Sequence, residues 1–250
     1  YRSCACVLEE GFPMGGLRRI CASMASCAKE AGVRIVTGDT KVVNRGHGDG
    51  VYINTSGVGA VPAGVSLGGA QIHPGDAVLV SGTLGDHGIT IMSCREGLSF
   101  SAAIESDAAP LNHLIAEVLA AAPHTRCFRD PTRGGLASTL NELAAQSNTD
   151  ITVDEGAVPV KDAVLGACEM LGYDVLQVAN EGKMVCVVAA DEAEAALAAM
   201  RANPYGADAA IIGQVGEADP ARGPKVFLRT SFGSTRILDM LVGEQLPRIC

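Results

Sequence analysis

The sequence predicts an α/β (α+β) protein of two domains. Three observations predict it. Short apolar runs of strand length alternate with segments of helical periodicity along the chain. A turn signal at Pro74-Gly75-Asp76, after a run of small residues, places a domain boundary near residues 65–75. Hydrophobic residues make up 48% of 250 residues, enough to fill a sizeable core.

Residues 4–8 read as a strand, and Gly11-Phe12-Pro13 as a turn. Met14, Leu17, Ile20, Met24, Cys27 and Ala31 recur at helical spacing, with Gly32 as the stop. Residues 33–36 and 41–43 are extended on either side of a polar centre, and 51–55 form another strand. This first portion is α+β, with an antiparallel sheet expected. Beyond the boundary, 77–81 is a strand leading into a glycine-rich turn. Helices are expected over about 88–96, 109–122, 134–147, 161–171 and 191–202, and strands over 151–154, 184–190, 209–215 and 225–229. The domains are therefore 1–68, 69–231 and a flexible tail over 232–250, whose Pro247 argues against a packed terminal helix.

Composition narrows function. Aromatics are only 4% and Trp is absent, whereas Gly numbers 30, which favours tight turns over aromatic platforms for sugars or bases. A net charge of −9 argues against nucleic acid as a partner, while leaving local basic spots at Arg126, Arg129 and Arg133. No apolar stretch spans a bilayer and no signal region is present, so a cytoplasmic protein without membrane partners is expected. The nine cysteines follow no regular framework and read as reduced thiols. Cys4, Cys6, Cys21 and Cys27 nominally offer four sulfurs to a metal, but their apolar flanks read as buried structural thiols.

Four constellations carry possible chemistry. In Thr37-Gly38-Asp39-Thr40-Lys41, Gly38 permits close backbone approach, Asp39 suits Mg²⁺, and Lys41 suits phosphate or base duty; a turn with a solvated lysine is the plainer reading. In Arg129-Asp130-Pro131-Thr132-Arg133-Gly134-Gly135, glycines open a helix whose free N–H groups and dipole suit phosphate, with Asp130 for metal and Arg133 for charge. The plainer reading is a helix capped by Thr132 or Asp130. Ala179-Asn180-Glu181-Gly182-Lys183 puts an acid in a tight loop before a strand, either a general base or an ordinary polar turn. The terminal Cys250 is a thiol on a mobile end, able to enter another site as a tethered substrate. Gly85-Asp86-His87-Gly88 is a lesser candidate, a lid or substrate contact, or else a turn capped by Asp86.

Read together and in order, these segments resemble the HypE family of hydrogenase-maturation enzymes. Leu8-Glu9-Glu10-Gly11-Phe12, Val36-Thr37-Gly38-Asp39-Thr40-Lys41-Val42-Val43, Ser81-Gly82 with Gly85-Asp86-His87-Gly88, and Arg95-Glu96-Gly97-Leu98 carry the match. So do the Arg129–Gly135 and Ala179–Lys183 motifs and, most specifically, the terminal Pro247-Arg248-Ile249-Cys250. The resemblance implies the two-domain fold of the aminoimidazole ribonucleotide synthetase (PurM-like) type, a homodimer built through the N-terminal domain, and ATP with Mg²⁺ as cofactors. It implies that a HypF-type carbamoyltransferase loads Cys250, that the chain dehydrates the thiocarboxamide to a thiocyanate, and that cyanide passes to iron on a HypC–HypD scaffold.

By the same resemblance, Thr37, Gly38, Asp39, Thr40, Asp130, Thr132, Arg133, Gly134, Gly135 and Asn180 bind the cofactor, and Asp39 and Asp130 hold the metal. Lys41 and Glu181 lie beside the modified Cys250. Family members also carry a segment before the point matching Tyr1. The natural N-terminus is therefore expected to be missing, the N-terminal domain and ATP site incomplete, and ATPase activity weak or absent. Two other readings stand: a kinase or synthetase of the same fold acting on a small diffusible substrate, and a non-catalytic maturation scaffold.

Overall fold

The computed structural model describes residues 1–97 and 104–240. The chain divides into two units between Val65 and Ser66, at the edge of the expected boundary region.

The first unit is a three-stranded sheet in the order β2-β1-β3, with β1 Arg2–Glu9, β2 Ile35–Val43 and β3 Val51–Gly57. The helix α1, Met14–Glu30, connects β1 to β2. The sheet is mixed, not antiparallel as expected: β1 runs parallel to β2 and antiparallel to β3. A helical crossover returns the chain to the end where β1 began, so the next strand must run alongside it. β2 also continues through the polar centre instead of breaking there. Gly38 pairs with Cys4, and a Cβ at Gly38 would lie 2.0 Å from the Cys4 carbonyl oxygen, so only glycine fits that crossing. The Glu9 carboxylate accepts from the Gly46 and Gly50 N–H groups and closes the β2–β3 loop. These bonds, Gly46 first, hold its carboxyl below the usual carboxylate range.

In the second unit the described residues form a seven-stranded sheet in the order β10-β9-β6-β8-β4-β7-β5. Its strands are β4 Ala77–Val80, β5 Thr125–Arg129, β6 Thr149–Asp154, β7 Val185–Val188, β8 Ala210–Glu217, β9 Val226–Arg229 and β10 Thr235–Ile237. The helices are α2 Asp86–Glu96, α3 Asn112–Ala121, α4 Gly135–Ser147, α5 Asp162–Leu171 and α6 Ala193–Ala202. Neighbouring strands are antiparallel except β6 and β9.

β4 and β7 are apolar and buried at every position, because helices cover both of their faces. Val78, Val80, Val185 and Val187 point one way, into a core with Leu136, Leu140 and Leu143 of α4. Ala77, Leu79, Cys186 and Val188 point the other way, against Leu114 and Val118 of α3 and Leu197 and Met200 of α6. The period of two along β4 and β7 thus feeds two cores from one sheet.

Two expectations need correction. β5 was read only as a cluster of basic spots, yet it is the strand at one edge; Arg126 pairs with buried Asp76, and Arg129 pairs with Asp130 and Glu142. The expected flexible tail does not begin at 232. β10 pairs with β9, Leu238 is buried, and its carbonyl accepts from the Asn141 side chain. Three paired residues are too short a run to show alternation in the sequence. Residues 241–250, and with them Pro247, Arg248 and Cys250, lie outside the described residues.

The two-face core gives a stability prediction. Leu140→Ala removes a fully buried side chain and should cost about 2–5 kcal/mol. Leu165→Ala, at a side chain 43% exposed, should stay within about 0.5 kcal/mol. Urea denaturation checks both, through the midpoint.

Candidate active site

The residues singled out in the sequence fall in both units. In the first, Thr37, Asp39 and Lys41 alternate with Gly38 and Thr40 along β2, so that the first three share a face; all five are exposed. Asp39 Oδ1 accepts from the Thr40 N–H at 2.8 Å. β2 lies at the edge of its sheet.

In the second unit the Arg129–Gly135 loop feeds α4. Gly134 is the N-cap, at φ +70°, and no side chain caps the helix. Thr132 and Asp130 therefore do not serve as caps. Thr132 Oγ1 donates to Asp130 Oδ2 at 2.7 Å, and Arg129 pairs with Asp130 Oδ1. The first-turn N–H groups of α4 are thus left without a side-chain acceptor, at the positive end of its dipole. Gly135, at φ +60°, packs so tightly that a Cβ would lie 2.6 Å from the Leu176 carbonyl oxygen. Arg133 is exposed.

Asn180 is fully buried and joins this loop to a second helix start. Its Oδ1 accepts from the Gly85 N–H at 2.8 Å, and its Nδ2 donates to the carbonyls of Pro131 (3.0 Å) and Val178 (2.9 Å). Both amide hydrogens are taken up by backbone, so its side chain positions loops.

Beside Asn180 lies the Gly85–Gly88 turn. Asp86 does not cap α2. It is buried, accepts from Thr83 Oγ1 at 2.5 Å, and has Lys161 Nζ 3.2 Å from its Oδ1. His87 Nδ1 lies 2.9 Å from Ser106 Oγ. A cavity of about 290 Å³ is lined here by Thr83, Asp86, Ser106, Asp107, Lys161 and Lys183, among others.

Four buried side-chain atoms lack a hydrogen-bond partner among the described residues: Asp86 Oδ1, His87 Nε2, Asp107 Oδ2 and Glu181 Oε1. For the two aspartates a lysine stands at ion-pair distance without hydrogen-bond alignment. Such atoms are rare in folded proteins because each carries a desolvation cost, so their gathering on three linked segments makes this the candidate site of the second unit. The sequence reading missed Asp107 and Ser106. They sit in an irregular loop with no periodicity and no motif glycine to announce them.

Thiols bear on any chemistry at Cys250. Cys21, Cys27 and Cys94 are exposed, which corrects the expectation of buried thiols for the first two; Cys4 and Cys6 are half-buried with sulfurs 3.8 Å apart. No group of three or more potential ligands able to hold a metal occurs among the described residues. Burial pushes the Cys168 thiol up to about 11, with Asp174 adding to it, and burial raises Cys127 and Cys186 as well.

Residues 73–223 match the family model of the AIR synthase related protein, C-terminal domain, and residues 3–61 match that of its N-terminal domain. Fold and matches place the chain among the AIR synthase related, PurM-like proteins. Within that class it is 56% identical over 250 residues to the carbamoyl dehydratase HypE of Azotobacter vinelandii, covering 100% of this chain and 72% of the relative. A crystal structure of the hydrogenase maturation protein HypE in complex with ATP superposes with a TM-score of 0.94 at 48% identity, covering 100% of this chain and 75% of that one. A HypE–HypF complex gives a TM-score of 0.92 at 47% identity, covering 96% of this chain and 77% of that one. The chain belongs to the HypE family, the carbamoyl dehydratases of hydrogenase maturation.

The Asn180 network predicts a large loss on truncation. Asn180→Ala leaves the Gly85 N–H and the Val178 carbonyl without their side-chain partner, at about 1–3 kcal/mol each, so a loss of roughly 2–6 kcal/mol is expected in chemical denaturation. Asn180→Asp has the same shape but lacks both donors, and should be no better than alanine. Near-neutral Asn180→Asp would mean that shape alone matters. Alkylation at pH 8, read by peptide mass, should label Cys21, Cys27 and Cys94 well before Cys168 and Cys186.

Proposed function

We propose that this chain uses ATP to dehydrate an S-carbamoyl group on its own Cys250 to a thiocyanate, the source of a cyanide ligand for hydrogenase iron. The observation that carries this reading is the 56% identity to a carbamoyl dehydratase over 250 residues, a match that covers 100% of this chain.

The chemistry suits the residues. An amide oxygen is a poor leaving group, and phosphoryl transfer from ATP turns it into one. Departure of phosphate with loss of both amide protons leaves the nitrile carbon on sulfur; ATP becomes ADP, and the amide oxygen leaves in phosphate. Glu181, with its buried unpartnered Oε1, and Lys41 are the groups we assign to proton removal. The uncapped first turn of α4, with Thr132, Arg133, Gly134 and Gly135, suits phosphate, as do Thr37, Gly38 and Thr40 on β2. Asn180 supports this site by fixing the Pro131 loop, a change from the direct cofactor contact expected of it.

Mg²⁺ fits the donor chemistry. Asp39 and Asp130 each offer exposed carboxylate oxygens, the hard donors that Mg²⁺ takes beside water and phosphate oxygens. Held by such carboxylates, the ion would offset phosphate charge during transfer.

The HypE–HypF complex supports a HypF-type carbamoyltransferase as the partner that loads Cys250. A HypC–HypD scaffold is the proposed acceptor. A homodimer through the first unit is supported by the edge position of β2 and by the exposure of its Val36 and Val42. No helix among the described residues is long and apolar enough to cross a membrane.

Intact mass after incubation with the carbamoyltransferase, carbamoyl phosphate and MgATP tests the proposal. A carbamoyl-sized gain followed by loss of one water is expected, with no gain in Cys250→Ala. Glu181→Gln should load normally and lose water at least about 100-fold more slowly, within the range of a general base. A gain that survives Cys250→Ala would sink the acceptor assignment.

A further inference from the structure

Asp107 belongs to none of the motifs above, yet it touches three consecutive residues of the Glu181 loop. Its Oδ1 accepts from the Glu181 N–H at 3.3 Å. Its backbone carbonyl sits where a Cβ on Gly182 would lie only 1.5 Å away, so glycine alone allows the approach. Its Oδ2 faces Lys183 Nζ at 3.3 Å. Both side chains of that ion pair are withdrawn from solvent, 2% exposed for Asp107 and 12% for Lys183.

A carboxylate buried in an irregular loop is costly unless its position serves something. The loop is tied down separately: Ser106 Oγ meets His87 Nδ1 at 2.9 Å and accepts from the Ala108 N–H at 3.3 Å. The strand-to-helix turn at His87 therefore anchors one side of residue 107, and the Glu181 loop is the other. Glu181 itself has a buried Oε1 with no hydrogen-bond partner among the described residues. The peptide from which it projects is held by the Asp107 carboxylate.

We propose that Asp107 is a positioning residue for Glu181, with Lys183 as the counter-ion that keeps Asp107 charged and in place. The assignment rests on the reading of Glu181 as the base. Asp107 does not touch the reacting atoms. It fixes the peptide from which Glu181 projects, so that the carboxylate meets the amide protons of the carbamoylated thiol.

The test is the single-turnover rate of water loss from the S-carbamoylated chain with MgATP, followed by intact mass, in four proteins: Asp107→Ala, Asp107→Asn, Glu181→Gln and the double Asp107→Ala/Glu181→Gln. Asp107→Ala should slow dehydration roughly 100-fold, the size of a misplacement of about 1 Å, with the extent of loading and the ATP affinity unchanged. Asp107→Asn, which keeps an acceptor for the Glu181 N–H, should stay within about tenfold of the parent. The double variant should be no slower than Glu181→Gln, because one residue acts through the other.

A double variant slower by the full Asp107 factor would give Asp107 an independent role and overturn the proposal. Parent-like dehydration by Asp107→Ala beside a slow Glu181→Gln would overturn the positioning role alone. A parent-like Glu181→Gln would sink the base assignment and the positioning role with it. If Asp107→Ala does not fold, Lys183→Gln, which removes the counter-ion and spares the loop, carries the same comparison against Glu181→Gln.

Discussion

Both amide hydrogens of Asn180 and one lone pair of its oxygen are held by backbone groups from three segments, and this fixes the starts of two helices at once. Gly85 precedes α2 and Pro131 lies in the loop before α4, so one residue, through its side chain and its own N–H to the Pro131 carbonyl, ties the two N-termini together. At full burial no water substitutes for it. The glycines on either side depend on the same spacing. A Cβ at Gly85 would lie 2.8 Å from Val164, and one at Gly135 would strike the backbone of 176–178. Residues 175–183 act as a seam: packed against helix starts at one end, bolted by Asn180 in the middle, and strapped by Asp107 at the other.

Much of the architecture was legible because its periodicities are long. The apolar spacing from Met14 onward places α1, and the leucines 136, 140 and 143 place α4. The direction of β2 was not legible. Strand polarity follows from what connects strands, and the polar centre at 37–40 looked like a break when it was a stretch of edge ladder. β5 and β10 went unread for different reasons. β5 carries two arginines whose partners, Asp76 and Glu142, lie elsewhere in the chain, and β10 is held by three pairs and one buried leucine.

The site divides in the same way. Residue types that chemistry demands, such as glycines at a helix start or an acid in a tight loop, stand out in one dimension. Their roles do not. Gly135 was read as an opening for phosphate, and the packing of its α-carbon against 176–178 is a structural demand of equal force. The family resemblance makes Asn180 a cofactor contact, and its burial turns it inward. Asp107 could not have been found, since its meaning lies in a contact made 74 positions away.

If the chain works through its terminal thiol, as proposed, its other thiols must be kept out of the reaction. Burial does this for Cys127, Cys168 and Cys186, because a thiolate stripped of water is costly and the neutral thiol is a poor nucleophile. It does nothing for Cys21, Cys27 and Cys94, which face solvent. If Cys250 is the sole acceptor, intrinsic reactivity does not account for that choice. Selectivity then rests on recognition of the terminal segment by the carbamoyltransferase. In that case loading and dehydration draw on different parts of one chain: a terminal segment that the partner recognises, and the Glu181 loop proposed to supply the base.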